Sequence, residues 1–195
     1  MILLLIKAIV SGIMLGMVYA LIGIGLNIIY GVMRVVNFAH GEYLMLAAYI
    51  TYWLSVSYGL KPLTSLHVII PVFIISGIVM YYITVPRLLK SEDPEMASYL
   101  AYFGIALIIS TGALVTIVFP AITPAMGSPY TIKAFVVIVL GGLGNPIGAI
   151  AGGLIFGLVE NISAVFIPTA LSPVIAFIIL IIVVMIKPQG LLARA

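Results

Sequence analysis

The sequence has no cysteine, a single tryptophan and very little charge: only 7% of its 195 residues are Asp, Glu, Lys or Arg. Without cysteine, neither a disulfide framework nor a thiolate metal site can form. A soluble globular domain covers its surface with roughly 25% charged residues, so the outside of this chain must face lipid or other protein. Disorder is excluded from the opposite side. Hydrophobic residues make up 65% of the chain and mean hydropathy is +1.39, far more apolar surface than an unfolded chain keeps in water. The net charge of +3 is too small and too scattered for a nucleic-acid footprint, and the basic residues read as markers flanking membrane spans. Catalytic signatures are lacking too: no Gly-x-Ser-x-Gly, no His-Glu-x-x-His and no phosphate-cradling Gly-x-x-x-x-Gly-Lys-Ser/Thr occurs. No enzymatic activity and no cofactor are expected of this chain. Any nucleotide chemistry that drives a solute uphill must belong to another subunit.

What the sequence does have is long apolar runs. A transmembrane helix needs about 20 apolar residues to cross roughly 30 Å of hydrocarbon at about 1.5 Å per residue. Ala8–Tyr30 meets that length without a charge, and further apolar runs follow at Tyr43–Tyr58, Leu66–Val85 and Tyr99–Phe119. Arg87–Glu95 is the most polar window and reads as an aqueous loop. A Pro/Thr-containing linker, Pro120–Pro129, leads to a broken region, and a last span covers Leu171–Ile186. The N-terminus lacks the positive n-region and small-residue cleavage site of a signal peptide, so the first helix is expected to be retained. The expected fold is all-α. Residues 1–195 read as a single transmembrane domain, a polytopic bundle of about six membrane segments with broken or re-entrant helices, in the cell membrane.

Two interruptions stand out. Ile132–Leu140 is apolar but short, and it stops at Gly141-Gly142-Leu143-Gly144, where glycine disfavours continued helix and permits a turn. Asn145-Pro146 then reads as a fresh start, with Asn as N-cap and Pro at the first helical position, and a second helix runs over Ile147–Ile167. This is either a tight hairpin between two spans or a break that lines a route. The other interruption, Gly31 to Glu42, carries Arg34, Asn37, His40 and Glu42 between two apolar segments. Broken backbone is tolerated at membrane depth only at an interface, inside protein or along a wet cavity, and paired interruptions point to a substrate pathway. The candidate pathway residues are therefore Asn37, His40, Gly41, Glu42, Gly141, Gly142, Gly144 and Asn145.

Glu160 joins them because it lies in an otherwise apolar helix. A carboxylate at the centre of a membrane helix costs on the order of 2.5–3.5 kcal/mol and usually faces protein or water. It reads either as a pathway or structural carboxylate with a polar partner, or as a residue reaching the interface. Asn27 is expected to make an interhelical hydrogen bond. Gly12/Gly16, Gly148/Gly152 and Gly153/Gly157 have the four-residue spacing that allows close helix approach, which speaks of packing. His40 and Glu42 make a poor metal site, having no third ligand nearby, and read rather as an interfacial His–Glu pair; His67 reads as an interface residue. Basic residues set the orientation: Arg34, Arg87, Lys90, Lys187 and Arg194 fall inside, and Lys7, Lys61 and Lys133 outside.

Several blocks resemble the permease subunits of branched-chain amino acid ATP-binding cassette transporters, the H-type component above all. Tyr19–Leu26 and Gly31–Glu42 resemble the N-terminal signature of that family, and Met126-Gly127, Lys133–Ala149, Gly152–Glu160 and Lys187–Leu191 follow in the right order. The resemblance implies a second permease subunit, cytoplasmic ATPase subunits and an extracytoplasmic substrate-binding protein as partners, with leucine, isoleucine, valine or a similar amino acid or amide as the solute. It also implies that the Asn37–Glu42 motif and the Gly141–Gly148 break lie near the central pathway. Family members are longer, and an internal stretch with further membrane helices and the segment that couples to the ATPase is missing here between about Phe119 and Ala125. The alternative is an uncoupled remnant with a passive or assembly role in the membrane.

Overall fold

The computed structural model describes residues 1–35, 37–93 and 127–192, and these are helical with short connections. The described helices are α1 (Ile2–Met33), α2 (His40–Tyr58), α3 (Pro62–Leu88), α4 (Gly127–Gly141), α5 (Pro146–Phe166) and α6 (Ser172–Ile186). The expected span at Tyr99–Phe119 and the expected join near 119–125 lie outside these residues. Among the described helices, α1, α3 and α5 are long and apolar enough to cross a membrane, while α4 and α6 are shorter apolar helices.

Helix ends follow local chemistry. Helix α1 stops where Arg34 takes a left-handed conformation, φ 55°, and returns its N–H to Tyr30 O. Gly59, at φ 66°, ends α2 with its N–H directed to Leu54 O and Ser55 O, a geometry that costs glycine nothing. Pro62 opens α3, Pro146 opens α5 and Pro173 lies in the first turn of α6; each lacks an N–H that would have had no helical partner there. Asn145 caps α5 as expected, accepting from Ile147 N at 3.1 Å. Helix α4 covers Gly127–Gly141, so residues 127–129, which read from sequence as the end of a linker, are helical.

The chain divides into two compact units, one of residues 1–34 with 132–195 and one of residues 35–131. In the first, α1 and α5 run antiparallel and touch backbone to backbone. A Cβ added to Gly157 would lie 2.5 Å from Gly16 Cα, and one added to Gly16 would lie 2.9 Å from Leu154 Cα. The adjacent face of α5 meets α4 in the same way: a Cβ on Gly148 would overlap the Gly141 carbonyl, and one on Gly152 would overlap Val137 O. So the two glycine pairs of α5 serve two different neighbours, and Gly141–Asn145 is the tight hairpin between α4 and α5. Helix α6 adds to α5 through Phe156 and Phe177, whose rings meet edge to face at 6.1 Å. In the second unit α2 packs on α3, with Tyr43 and Phe73 edge to face at 5.9 Å.

Much of the surface of the described helices is exposed and apolar. Only 22%, 17% and 28% of the most apolar windows of α1, α3 and α5 are buried, so lipid or other subunits must cover the rest. The protein is therefore a multi-pass membrane protein.

Candidate functional site

Among the described residues, three polar clusters interrupt the apolar helices. The first joins α1, α4 and α5. Lys133 Nζ donates to Glu160 Oε1 and to Tyr19 Oη, both at 2.7 Å, and Tyr19 Oη donates to Glu160 Oε2 at 2.8 Å. Both carboxylate oxygens thus have donors, and two of the three ammonium protons have acceptors. The Lys133 ammonium also lies 4.9 Å from the centre of the Tyr19 ring, a cation–π contact. Tyr19 is buried, held by an edge-to-face contact with Phe156 at 5.5 Å, whereas the Lys133 and Glu160 side chains keep 18% and 12% of their exposure.

This cluster sits at membrane depth. Tyr19 is the middle residue of the charge-free run Ala8–Tyr30, and about 16 Å of helix separates it from either end of that run. Glu160 accordingly has its polar partner inside the bundle. Lys133 is not a flanking marker outside the membrane, as its position between polar residues and an apolar run suggests, but one half of an intramembrane ion pair.

The second cluster is the hairpin turn. Gly142 and Gly144 adopt φ 113° and 79°, values that side chains resist. Asn27, fully buried on α1, donates from Nδ2 to Gly142 O at 3.2 Å and Asn145 O at 2.7 Å, and accepts from Gly144 N at 2.5 Å. One side chain thereby gives Gly144 N its acceptor and adds a second donor to Gly142 O and Asn145 O, which also accept from Asn145 N and Ala149 N. The tail after α6 does the rest: Leu191 N and Leu192 N donate to Leu140 O and Gly141 O, at 2.9 and 3.1 Å. Asn145 Nδ2 donates to Leu192 O, and Gly190, φ 88°, packs against Gly142 with no room for a side chain between them. The Lys187–Leu191 block is thus a strap that caps α4.

The third cluster lies in the second unit, at the Asn37–Glu42 motif. Asn37 Oδ1 accepts from Ala39 N at 2.9 Å, and this turn leads into α2 at His40, which is half-buried. Gly41 N donates to Thr131 Oγ1 at 2.9 Å. A Cβ on Gly41 would overlap Gly127 O, and one on Gly127 would overlap the Glu42 carboxylate. Glu42 is 2% exposed; Oε1 accepts from Ser128 Oγ at 3.1 Å and Oε2 has no hydrogen-bond partner among the described residues. Glu42 is therefore buried against α4. Thr131→Val removes the acceptor of a buried backbone amide and is expected to cost about 1–2 kcal/mol, read as a lower Tm of the purified protein. An unchanged Tm would mean that α2 and the start of α4 do not meet here.

The candidate residues thus fall into separate groups. Gly141, Gly142, Gly144 and Asn145 come together with Asn27; Glu160 lies about 22 Å further along α5, with Lys133 and Tyr19; and Asn37, His40, Gly41 and Glu42 belong to the other unit. From the sequence Lys133 reads only as a topology marker, and Tyr19, Ser128 and Thr131 carry no site role. A usable signal exists for Lys133: a lone lysine and a lone glutamate in neighbouring apolar helices are each too costly unless they pair. One groove, of about 310 Å³, is lined by Met17, Ala20, Leu21, Ile24, Ile150 and Leu154. It is wholly apolar and offers nothing to orient a polar solute.

Comparison with known proteins agrees with this architecture. A profile of the family described as branched-chain amino acid transport system / permease component matches residues 8–111 and 110–184. The chain is 25% identical to the high-affinity branched-chain amino acid transport system permease protein LivH of Escherichia coli (strain K12) over 289 residues, covering 94% of each. LivH of Salmonella typhimurium shows the same identity and coverage. BraD of Pseudomonas aeruginosa, another high-affinity branched-chain amino acid permease protein, is 24% identical over 293 residues, 96% of this chain and 95% of the relative. Alignments of that length exceed the 195 residues of the chain, so each relative carries internal residues without a counterpart here. No solved structure gives a significant match.

Proposed function

The chain belongs to the branched-chain amino acid transport permease family and is a membrane permease subunit, and from that premise we propose that it forms part of the translocation route of an ATP-binding cassette importer. The solute is leucine, isoleucine, valine or a similar amino acid or amide. The partners are a second permease subunit, cytoplasmic ATPases that supply the energy, and an extracytoplasmic protein that delivers the solute. The observation that carries this reading is the family match over both halves of the chain in order, residues 8–111 and then 110–184.

Physical reasons support a role in the route for the polar clusters. Apolar packing alone would stabilise this bundle, and buried ion pairs contribute little net stability compared with apolar residues of similar volume. Glycine-limited backbones and half-satisfied polar groups at membrane depth are what a path for a small polar solute needs. The internal stretch present in the relatives and absent here is where we place the missing helices and coupling segment. A partner subunit that carries a complete coupling segment then transmits most of the ATPase motion.

Removing this chain from its host is expected to abolish ATP-dependent leucine uptake that depends on the same binding protein, and affinity purification of the chain is expected to recover ATPase and partner permease. Unchanged uptake in the deletion strain would contradict the proposal. Recovery of the second permease without any ATPase would favour an uncoupled assembly role instead.

A further inference from the structure

The Lys133–Glu160–Tyr19 triangle has a feature that a structural strut does not require. Its two charged side chains are still 18% and 12% exposed, and they lie level with the middle of an apolar run long enough to cross the membrane. Hydrocarbon cannot solvate charged groups at that depth. The face of the bundle on which they open must therefore border water or another polar surface. That face differs from the outer surface of α1, where Leu3, Leu4, Met14, Met17 and Leu21 are exposed and suit lipid.

We propose that Lys133 and Glu160 form a recognition site for the zwitterionic head of an α-amino acid, a reading that rests on the permease function above. In the structure the two charges neutralise each other at 2.7 Å, with Tyr19 satisfying the second carboxylate oxygen at 2.8 Å. A free amino acid carries the same two charges on one carbon. Its ammonium can replace Lys133 as the donor to Glu160, while its carboxylate takes the Lys133 protons, including the one without a protein acceptor in the triangle. One internal ion pair is exchanged for two intermolecular ones, and the membrane interior never holds a net charge. Tyr19 acts as a positioning residue: it is buried and ring-packed on Phe156, so it holds the Glu160 carboxylate while the lysine swings. The apolar side chain of the ligand needs no specific partner, which fits a site that accepts several aliphatic amino acids and rejects solutes lacking either charge.

The test uses the complete transporter, with its second permease, ATPases and binding protein, in proteoliposomes. Lys133→Met and Glu160→Gln each leave one charge buried alone, so each is expected to lower both Tm and leucine uptake, uptake by about tenfold or more. The double variant Lys133→Met/Glu160→Gln removes both charges together. It is expected to regain the Tm of the wild type and to assemble with its partners, yet to remain inactive. Leucine uptake by the double variant would show that the pair is only a strut and would overturn the proposal. So would a double variant that fails to accumulate, or one that folds but no longer binds the second permease, since the pair would then serve a subunit contact. An inactive wild-type complex is a separate outcome: it removes the permease reading itself, and this inference with it.

Discussion

Gly157→Val is expected to prevent the protein from accumulating in folded form. The α1–α5 contact has no side chain to spare on either helix: a Cβ at Gly157 would lie 2.5 Å from both N and Cα of Gly16, and one at Gly153 would lie 2.6 Å from Ala20 Cα. These are backbone atoms and cannot rotate away, so the two helices would have to separate along their length. Overpacking costs about 1–3 kcal/mol where neighbouring side chains can adjust. Here the cost lies at or above the upper end, and about 3 kcal/mol corresponds to a fall of more than a hundredfold in the ratio of folded to unfolded protein. Separation also parts Tyr19 from Glu160, so the polar triangle is lost along with the packing. The measurement is the yield and Tm of monodisperse protein in detergent. Gly77→Ala in α3 serves as the control, because nothing lies within 4 Å of its added Cβ, and it is expected to be neutral or slightly stabilising. Equal stability of the two variants would mean that α1 and α5 do not pack on their glycines.

Asn27→Ala comes next in expected effect. Its amide makes three hydrogen bonds to the backbone of the α4–α5 turn, at 3.2, 2.7 and 2.5 Å, from a fully buried position. Removing the side chain leaves the Gly144 amide without its acceptor and takes the second donor from the Gly142 and Asn145 carbonyls, which keep Asn145 N and Ala149 N; a buried group left unsatisfied costs about 1–3 kcal/mol. A loss of about 2 kcal/mol or more is expected, visible as a large drop in Tm. Asn27→Asp should not rescue it. The carboxylate keeps the acceptor for Gly144 N but sets negative charge against the Gly142 and Asn145 carbonyls. An Asp variant as stable as the wild type would contradict the geometry of this turn.

Much of this arrangement is written in local sequence, and the rest is not, for identifiable reasons. The helices and their ends are legible because the determinants are local: charge-free runs, Pro at first turns, Gly59 and Gly142 at positive φ. The Asn145 cap and the four-residue glycine spacings are legible for the same cause; of Asn27 the sequence tells that it bonds beyond its own helix, but not that its partners are backbone groups of the turn. What the spacings cannot reveal is which neighbour each glycine pair meets. Gly148/Gly152 and Gly153/Gly157 are offset by about 100° per residue around one helix, and only the packed bundle shows that they face α4 and α1 respectively. The role of Lys133 is obscured by its neighbourhood: a lysine near the start of a short apolar run looks like an interfacial marker. Glu160, with which it pairs, is 27 positions away. The strap of Leu191 and Leu192 is invisible because it works through backbone N–H groups, which carry no residue signature.

The most direct test of the account is leucine uptake into proteoliposomes containing the assembled transporter, compared with vesicles from which this chain alone is omitted. Accumulation against a gradient is predicted only when the chain, its partners and ATP are all present. Equal ATP-driven accumulation without the chain would contradict the account.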